Sequence, residues 1–433
     1  MPKIVLIGAG SYAFGTATFR DLIAWREQLR GSTIVLVDVN PDALALMAGF
    51  LRKLNATVGD PYVIETTTDR RAALPGADFV LISIAVQRNR LWRLDWEIPL
   101  KHGVKHVLGE NGGPGGLFHA MRNIPIVLDI TRDVEALCPE ALVINFTNPE
   151  GRVCQALNRY SKVKFIGLCH GIDMMRRAVS AALDVPLEEI DALAYGINHF
   201  SWVRTLRRRG TGEDLYPAFN QAAHERLPEL EAAVGHSLKL SRFLMDTYGM
   251  WPLPSDDHVG EYLSYAWELA GLEGYPFDRV DRESEDFKAD IRKWTSGELP
   301  LPEWALTPSG ERAIAIIAGI LYNTHQYELA VNLPNNGYIP NLPDDAIVEV
   351  PVIVDAAGVH GQRLEPLPEP IAAMCRTQIA VIDRVVEAGV HGDRHAALQA
   401  LLLDPHITST TQAEAILAEL LEAHREFLPQ FKP

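Results

Sequence analysis

The chain opens KIVLIGAGSYAFG, an apolar run that breaks on two glycines and leads straight into a stretch able to form a helix. Similar short runs recur as TIVLVD (33–38), DFVLISIA (78–85), VKHVLG (104–109), ALVINF (141–146) and VKFIGL (163–168). Most carry apolar residues at consecutive positions, so both faces of each strand must be covered. Parallel pairing needs a long crossover between strands, and helices fit the intervals here. NPDALALMAGFLRKL (40–54) offers Asn40 as a cap and Pro41 in the first turn, then apolar residues spaced by three and four. DMMRRAVSAAL (173–183) has the same spacing. The pattern predicts an α/β fold built on a Rossmann-like, doubly wound, mostly parallel sheet.

Near residue 185 the rhythm changes. DALAYGINHFSWVRTLRRRG (191–210) reads as a strand pair joined by a hairpin. Mostly helical sequence follows to about 330, then an irregular segment rich in Pro and Asn (332–354), then two closing helices. We expect residues 1–190 to bind a dinucleotide and residues 191–433 to form a mixed α+β, largely helical domain for substrate, metal and oligomerisation.

GAGSYA (8–13) fits the G-x-G-x-x-G/A pattern with Ala13 in the last place. Gly8 permits a tight turn, Gly10 lets the backbone approach a pyrophosphate, and Ser11 sits where the following helix presents its positive end. Asp38 ends the second run, where a carboxylate accepts ribose hydroxyls and repels a 2′-phosphate. The expected cofactor is NAD rather than NADP. The bland alternative is a glycine turn that only joins strand to helix.

Ligands of open parallel sheets gather beyond the carboxyl ends of the strands. Four such ends carry polar chemistry: QRNR (87–90), GENGGPGG (109–116), TNPEG (147–151) and CHG (169–171). Cys169 with His199, from GINHFSW, offers a thiolate and an imidazole. That pair leaves positions open for substrate oxygens, which suits a catalytic divalent metal and is too few for a closed zinc site. Taken singly, each residue type is more often a satisfied core histidine or a small buried hydrophobe. PSDDHVGEY (254–262) adds Asp256, Asp257, His258, Glu261 and Tyr262, a candidate source of a base or simply a solvated acidic loop.

The charge balance narrows the partners. Asp and Glu total 56 against 40 Lys and Arg, a formal net charge of −16, which repels nucleic acid and anionic membranes. No apolar run reaches transmembrane length, and the start lacks a secretory pattern. Cys138, Cys154, Cys169 and Cys375 lie far apart, so a reducing cytoplasm is the expected compartment.

In this order, KIVLIGAGSYAFG, RLDWEIPLKHGV, GENGGPGG, TNPEGRV, GLCHG, GINHFSW and NLPNNGYIPNLPDDAIVEVP resemble glycoside hydrolase family 4 over most of the chain. The resemblance implies an NAD- and divalent-metal-dependent glycosidase, with Mn2+ the expected ion, which departs from two-carboxylate hydrolysis. It implies hydride transfer from sugar C3 to NAD, loss of the now acidic C2 proton to a base, departure of the glycosidic oxygen from C1, addition of water and return of the hydride. It makes Cys169 and His199 metal ligands, Asn148 a substrate contact, His170 the candidate acid, and Asp257 or Asp256 the base. CHGI resembles the tetrapeptide of members acting on α-linked uronic acids, and Arg88, Arg90 and Arg93 would then face a C6 carboxylate. The resemblance therefore implies an α-galacturonidase, with α-glucuronidase and α-galactosidase as alternatives, assembled as a homo-oligomer of two or four chains. A lactate- or malate-type NAD dehydrogenase shares this fold core but leaves the Cys/His pair without purpose, and a non-enzymatic NAD sensor would turn over no glycoside.

Overall fold

The computed structural model describes residues 1–169 and 171–431. Its strands form one twelve-stranded sheet. β1 (Lys3–Ile7), β2 (Thr33–Val37), β3 (Val63–Thr67), β4 (Phe79–Ile82), β5 (Leu142–Asn145) and β6 (Lys164–Gly167) run parallel in the order β3-β2-β1-β4-β5-β6. β7 (Ile190–Ile197), β8 (Phe200–Arg208), β9 (Trp251–Leu253), β10 (Gln326–Pro334), β11 (Ile347–Asp355) and β12 (Gly358–Gly361) continue it antiparallel. The order reverses between β1 and β4, the switch point where such sheets bind ligands.

Alternate strand residues feed opposite cores. Ile4, Leu6, Ile34 and Leu36 pack with the helices Tyr12–Ala24 and Pro41–Thr57 on one face. Val5, Ile7, Val35 and Val37 pack with the helix Gly113–Leu137 and the C-terminal helices on the other. Consecutive apolar residues are therefore what a sheet covered on both faces requires. Asn40 caps its helix by accepting from the Asp42 and Ala43 N–H groups, with Pro41 at the first position.

Three expectations need correction. VKHVLG (104–109) is not a strand, because the carbonyls of Val107 and Leu108 accept the indole N–H groups of Trp96 and Trp92. The segment 332–354 is irregular only from 335 to 346; its ends belong to β10 and β11, which join the parallel strands to the hairpin β7–β8. Three helices, Glu369–His391, Arg394–Leu403 and Thr410–Ala423, close the fold rather than two. Among the described residues no helix is long and apolar enough to cross a membrane.

The join between the two halves is a single row of paired residues, Gly167–Asn332–Glu349–Gly196, running from β6 through β10 and β11 to β7. Cys169 lies two residues past one end of this row and His199 three past the other.

Candidate active site

Gly8 has φ +89°, and a Cβ there would fall 1.9 Å from the Ser83 carbonyl oxygen, so glycine is required. The Gly10 N–H donates to Asp38 Oδ2 at 2.8 Å and the Asn40 N–H to Oδ1 at 2.9 Å. Ser11 caps the helix Tyr12–Ala24 by accepting from the Phe14 N–H. Gly8, Gly10, Ser11 and Asp38 thus converge on the positive end of a helix, a cradle that fits a dinucleotide pyrophosphate with a carboxylate at the ribose end.

β6 delivers Cys169, half-buried, and burial pushes its thiol well above the ordinary range. His199 sits in the two-residue turn between β7 and β8 at φ +58°, a left-handed conformation that non-glycine residues adopt rarely and mostly at constrained sites. Antiparallel pairing of Ser201 with Leu253 brings the segment after β9 beside that turn. The rings of His199 and His258 are consequently 4.5 Å apart. Donor atoms of His199, His258 and Glu261 lie within 4.8 Å of one another. Tyr262 links the two sides of the site: its hydroxyl donates to the Asn198 carbonyl at 3.3 Å, and burial, Glu261 and, more weakly, Cys169 raise its pKa well above the usual range. Two imidazoles and a carboxylate gathered in this way are donors that fit a divalent transition metal, and Cys169, at the end of β6, stands outside that group of three.

Adjacent aspartates have separate fates. Asp256, 2% exposed, accepts from the N–H groups of Leu240 and Ser241 (both 2.8 Å) and the hydroxyls of Ser237 (2.9 Å) and Ser241 (2.6 Å). Those bonds hold the start of the helix Lys239–Tyr248, so Asp256 belongs to the scaffold and its candidacy as base is withdrawn. Asp257 is half-buried and accepts from the Ser255 hydroxyl and the His258 N–H. Burial pushes it up, but His258 and those hydrogen bonds outweigh this and hold it below the usual carboxylate range. It is ionised, as a base must be. His170 lies outside the described residues. Asn148 is half-buried, its carbonyl accepting from the Asn123 side chain at 2.7 Å.

Two of the three arginines are paired with carboxylates. Arg88 donates to Glu110 Oε1 at 2.9 Å and lies over the Trp92 ring. Arg93 pairs with Asp278 at the surface, whereas Arg90 donates to the neutral side chain of Gln87 and is exposed, so its charge has no carboxylate partner among the described residues.

Sequence reasoning missed Glu110 and Glu349. Burial raises Glu110, but Arg88, His258 and His119 pull it down to about 2, leaving a buried anion against the first residue of the helix Arg88–Lys101, on which all three arginines lie. Glu349 Oε1 accepts from the Ser201 hydroxyl at 2.6 Å, and Oε2 accepts from Asn198 and Asn332. It fixes the turn that carries His199. An acid opposite an arginine in the next strand-end loop was the one available signal for Glu110; Glu349 sits in a strand with none.

Known proteins place this geometry. Residues 3–185 match the description "Family 4 glycosyl hydrolase", and residues 194–407 match "Family 4 glycosyl hydrolase C-terminal domain". An alpha-glucosidase of Erwinia rhapontici is 37% identical, with 93% of each chain aligned. An alpha-galactosidase of Bacillus subtilis is 31% identical over the full length of both chains. An alpha-galacturonidase of Thermoanaerobacterium saccharolyticum is 26% identical, covering 99% of this chain and 97% of its own, so the placement nearest the uronic-acid members is not upheld. The fold superposes on a gut-microbial 6-phospho-alpha-glucosidase, in complex with NAD and Mn2+, with a TM-score of 0.88, 21% identity and full coverage of both chains. By sequence across both halves and by fold, this chain belongs to the family 4 glycosyl hydrolases.

Proposed function

We propose that the protein is an NAD- and divalent-metal-dependent α-glycosidase acting on a neutral α-linked hexoside, an α-glucoside or α-galactoside. The observation that carries the mechanism is a dinucleotide cradle at the end of β1 in the same sheet whose β7–β8 turn brings His199 together with His258 and Glu261, with the ionised Asp257 next to His258. When bound, NAD accepts and returns a hydride, and the metal stabilises negative charge on sugar oxygens. Cys169 and His199 would hold the ion. Asp257 takes the C2 proton: it is ionised and so free to accept one, and its hydrogen bond from Ser255 fixes the carboxylate's orientation. Asn148 orients the sugar from the loop after β5. Gly8, Gly10, Ser11 and Asp38 hold the dinucleotide, and Asp38 selects NAD over NADP.

The preference for a neutral sugar rests on charge. The Glu110 carboxylate already neutralises Arg88, the arginine that lies at the crevice, and a second carboxylate would compete with it. The glucosidase and galactosidase relatives, more identical than the galacturonidase, support the same reading. The tetrapeptide CHGI favours galacturonide as the second reading.

The test is release of sugar from α-glucoside, α-galactoside and α-galacturonide, each with and without NAD and Mn2+ under reducing conditions. Turnover of a neutral glycoside that needs both additions, with no net NADH, is expected. Cleavage of galacturonide alone replaces the substrate class, and NADH accumulation with the glycoside intact rejects the mechanism.

A further inference from the structure

On the reading just given, the chain contributes one sulfur and one imidazole to the metal, Cys169 and His199. We propose that His258 is a third protein ligand and that Glu261 is the carboxylate that aims it.

The donors of His199, His258 and Glu261 already share one small volume, although they come from the β7–β8 turn and from the segment after β9. Glu261 itself has little freedom. Its side chain is 0% exposed, and Oε1 accepts from the N–H groups of Asn111 (2.7 Å), Gly112 (3.3 Å) and Glu110. That fan of backbone donors, from the loop opening the helix Gly113–Leu137, fixes the carboxylate's orientation. The other oxygen, Oε2, lies 3.4 Å from His258 Nδ1. A histidine whose Nδ1–H faces a fixed carboxylate presents Nε2 to a metal, the arrangement commonly found behind metal-bound imidazoles. The His258 backbone N–H donates to Asp257 Oδ1, so ligand and base are adjacent and tied together. One sulfur and two nitrogens from the chain still leave positions for two sugar oxygens and water, as a catalytic site requires. The competing role for His258 is that of a cation balancing Asp257, Glu261 and Glu110 without touching the ion.

Mn2+ titration of the full-length protein with NAD present separates the two, read by the electron paramagnetic resonance of free Mn2+. Electron–nuclear double resonance on the loaded protein counts coupled imidazole nitrogens. Two directly coordinated nitrogens are expected in wild type and one in His258→Gln, whose Kd for Mn2+ rises about 10- to 100-fold. A single nitrogen in wild type overturns the inference whatever the variant does. So does a His258→Gln protein that melts like wild type and binds Mn2+ within twofold. Wild type that binds no Mn2+ rejects the metal-dependent reading as well, an outcome distinct from a wild type that binds it through one imidazole.

Discussion

Glu150, 1% exposed in the first turn of the helix Glu150–Tyr160, is the group whose protonation gives the sharpest test of this structure. Oε1 accepts from the Cys154 thiol at 2.9 Å, and Oε2 has no partner among the described residues. Burial, reinforced by Glu349, pushes its pKa from 4.5 to about 8 despite the thiol hydrogen bond. The folded protein therefore holds a proton that the unfolded chain releases above its own pKa. This contribution to stability is fully present in acid and falls by about 1.4 kcal/mol per pH unit until the folded group also ionises. At pH 7 the accumulated loss is about 3 kcal/mol. Glu150→Gln removes the titration and keeps an acceptor for Cys154. The difference in unfolding free energy, variant minus wild type, should rise steadily between pH 5 and pH 8, reaching about 3 kcal/mol at pH 7 relative to its value in acid. Urea denaturation followed by tryptophan fluorescence at four pH values measures it. A difference that stays flat over this range would show that Glu150 is ionised in the native state, and the reasoning fails.

Asp256→Asn should cost about 3 kcal/mol, because buried donors lose their acceptor, while C2 proton exchange per folded molecule stays within a few-fold of wild type. Asp257→Asn should do the reverse, with thermal stability nearly unchanged and deuterium exchange at C2 down at least about 100-fold. Arg88→Met strands the buried Glu110 and should destabilise by about 3 kcal/mol, with Glu110→Gln added to it restoring much of the loss in melting experiments. Asp38→Asn should weaken NAD binding about tenfold and narrow its preference over NADP, measured by quenching of intrinsic fluorescence.

The parallel strands are readable in sequence where both faces are buried. β3, VIETT, is the exception: it is an edge strand with exposed residues and shows no apolar run. β11 is buried along nearly its whole length but contains Pro351, which breaks the pattern that marks a central strand. Cys169 and His199 stand out in sequence because each ends a recognisable strand. Asp256 and Asp257 do not separate there, since neighbours in a chain point to different surroundings once a helical turn begins at Asp256. Glu110 and Glu349 gain their roles from partners about 20 to 150 residues away, and the backbone N–H groups that orient Glu261 lie about 150 residues from it, which no local pattern encodes.

The row of residues joining Gly167 to Gly196 has a mechanical consequence. Enzymes that grip substrates between two lobes usually bend at a thin linker. Here the seam is continuous β-sheet, and beneath and above it each apolar layer contains residues from both ends of the chain. Opening the two halves would break the Gly167–Asn332 and Glu349–Gly196 pairs and divide the layer that holds Ile4 and Leu6 together with Phe200 and Trp202. Cys169 and His199 are mounted just past opposite ends of that row, so the sheet resists a change in their spacing. Access for a sugar then falls to the segments beyond the strand ends, with the turn that carries His199 as the stationary part.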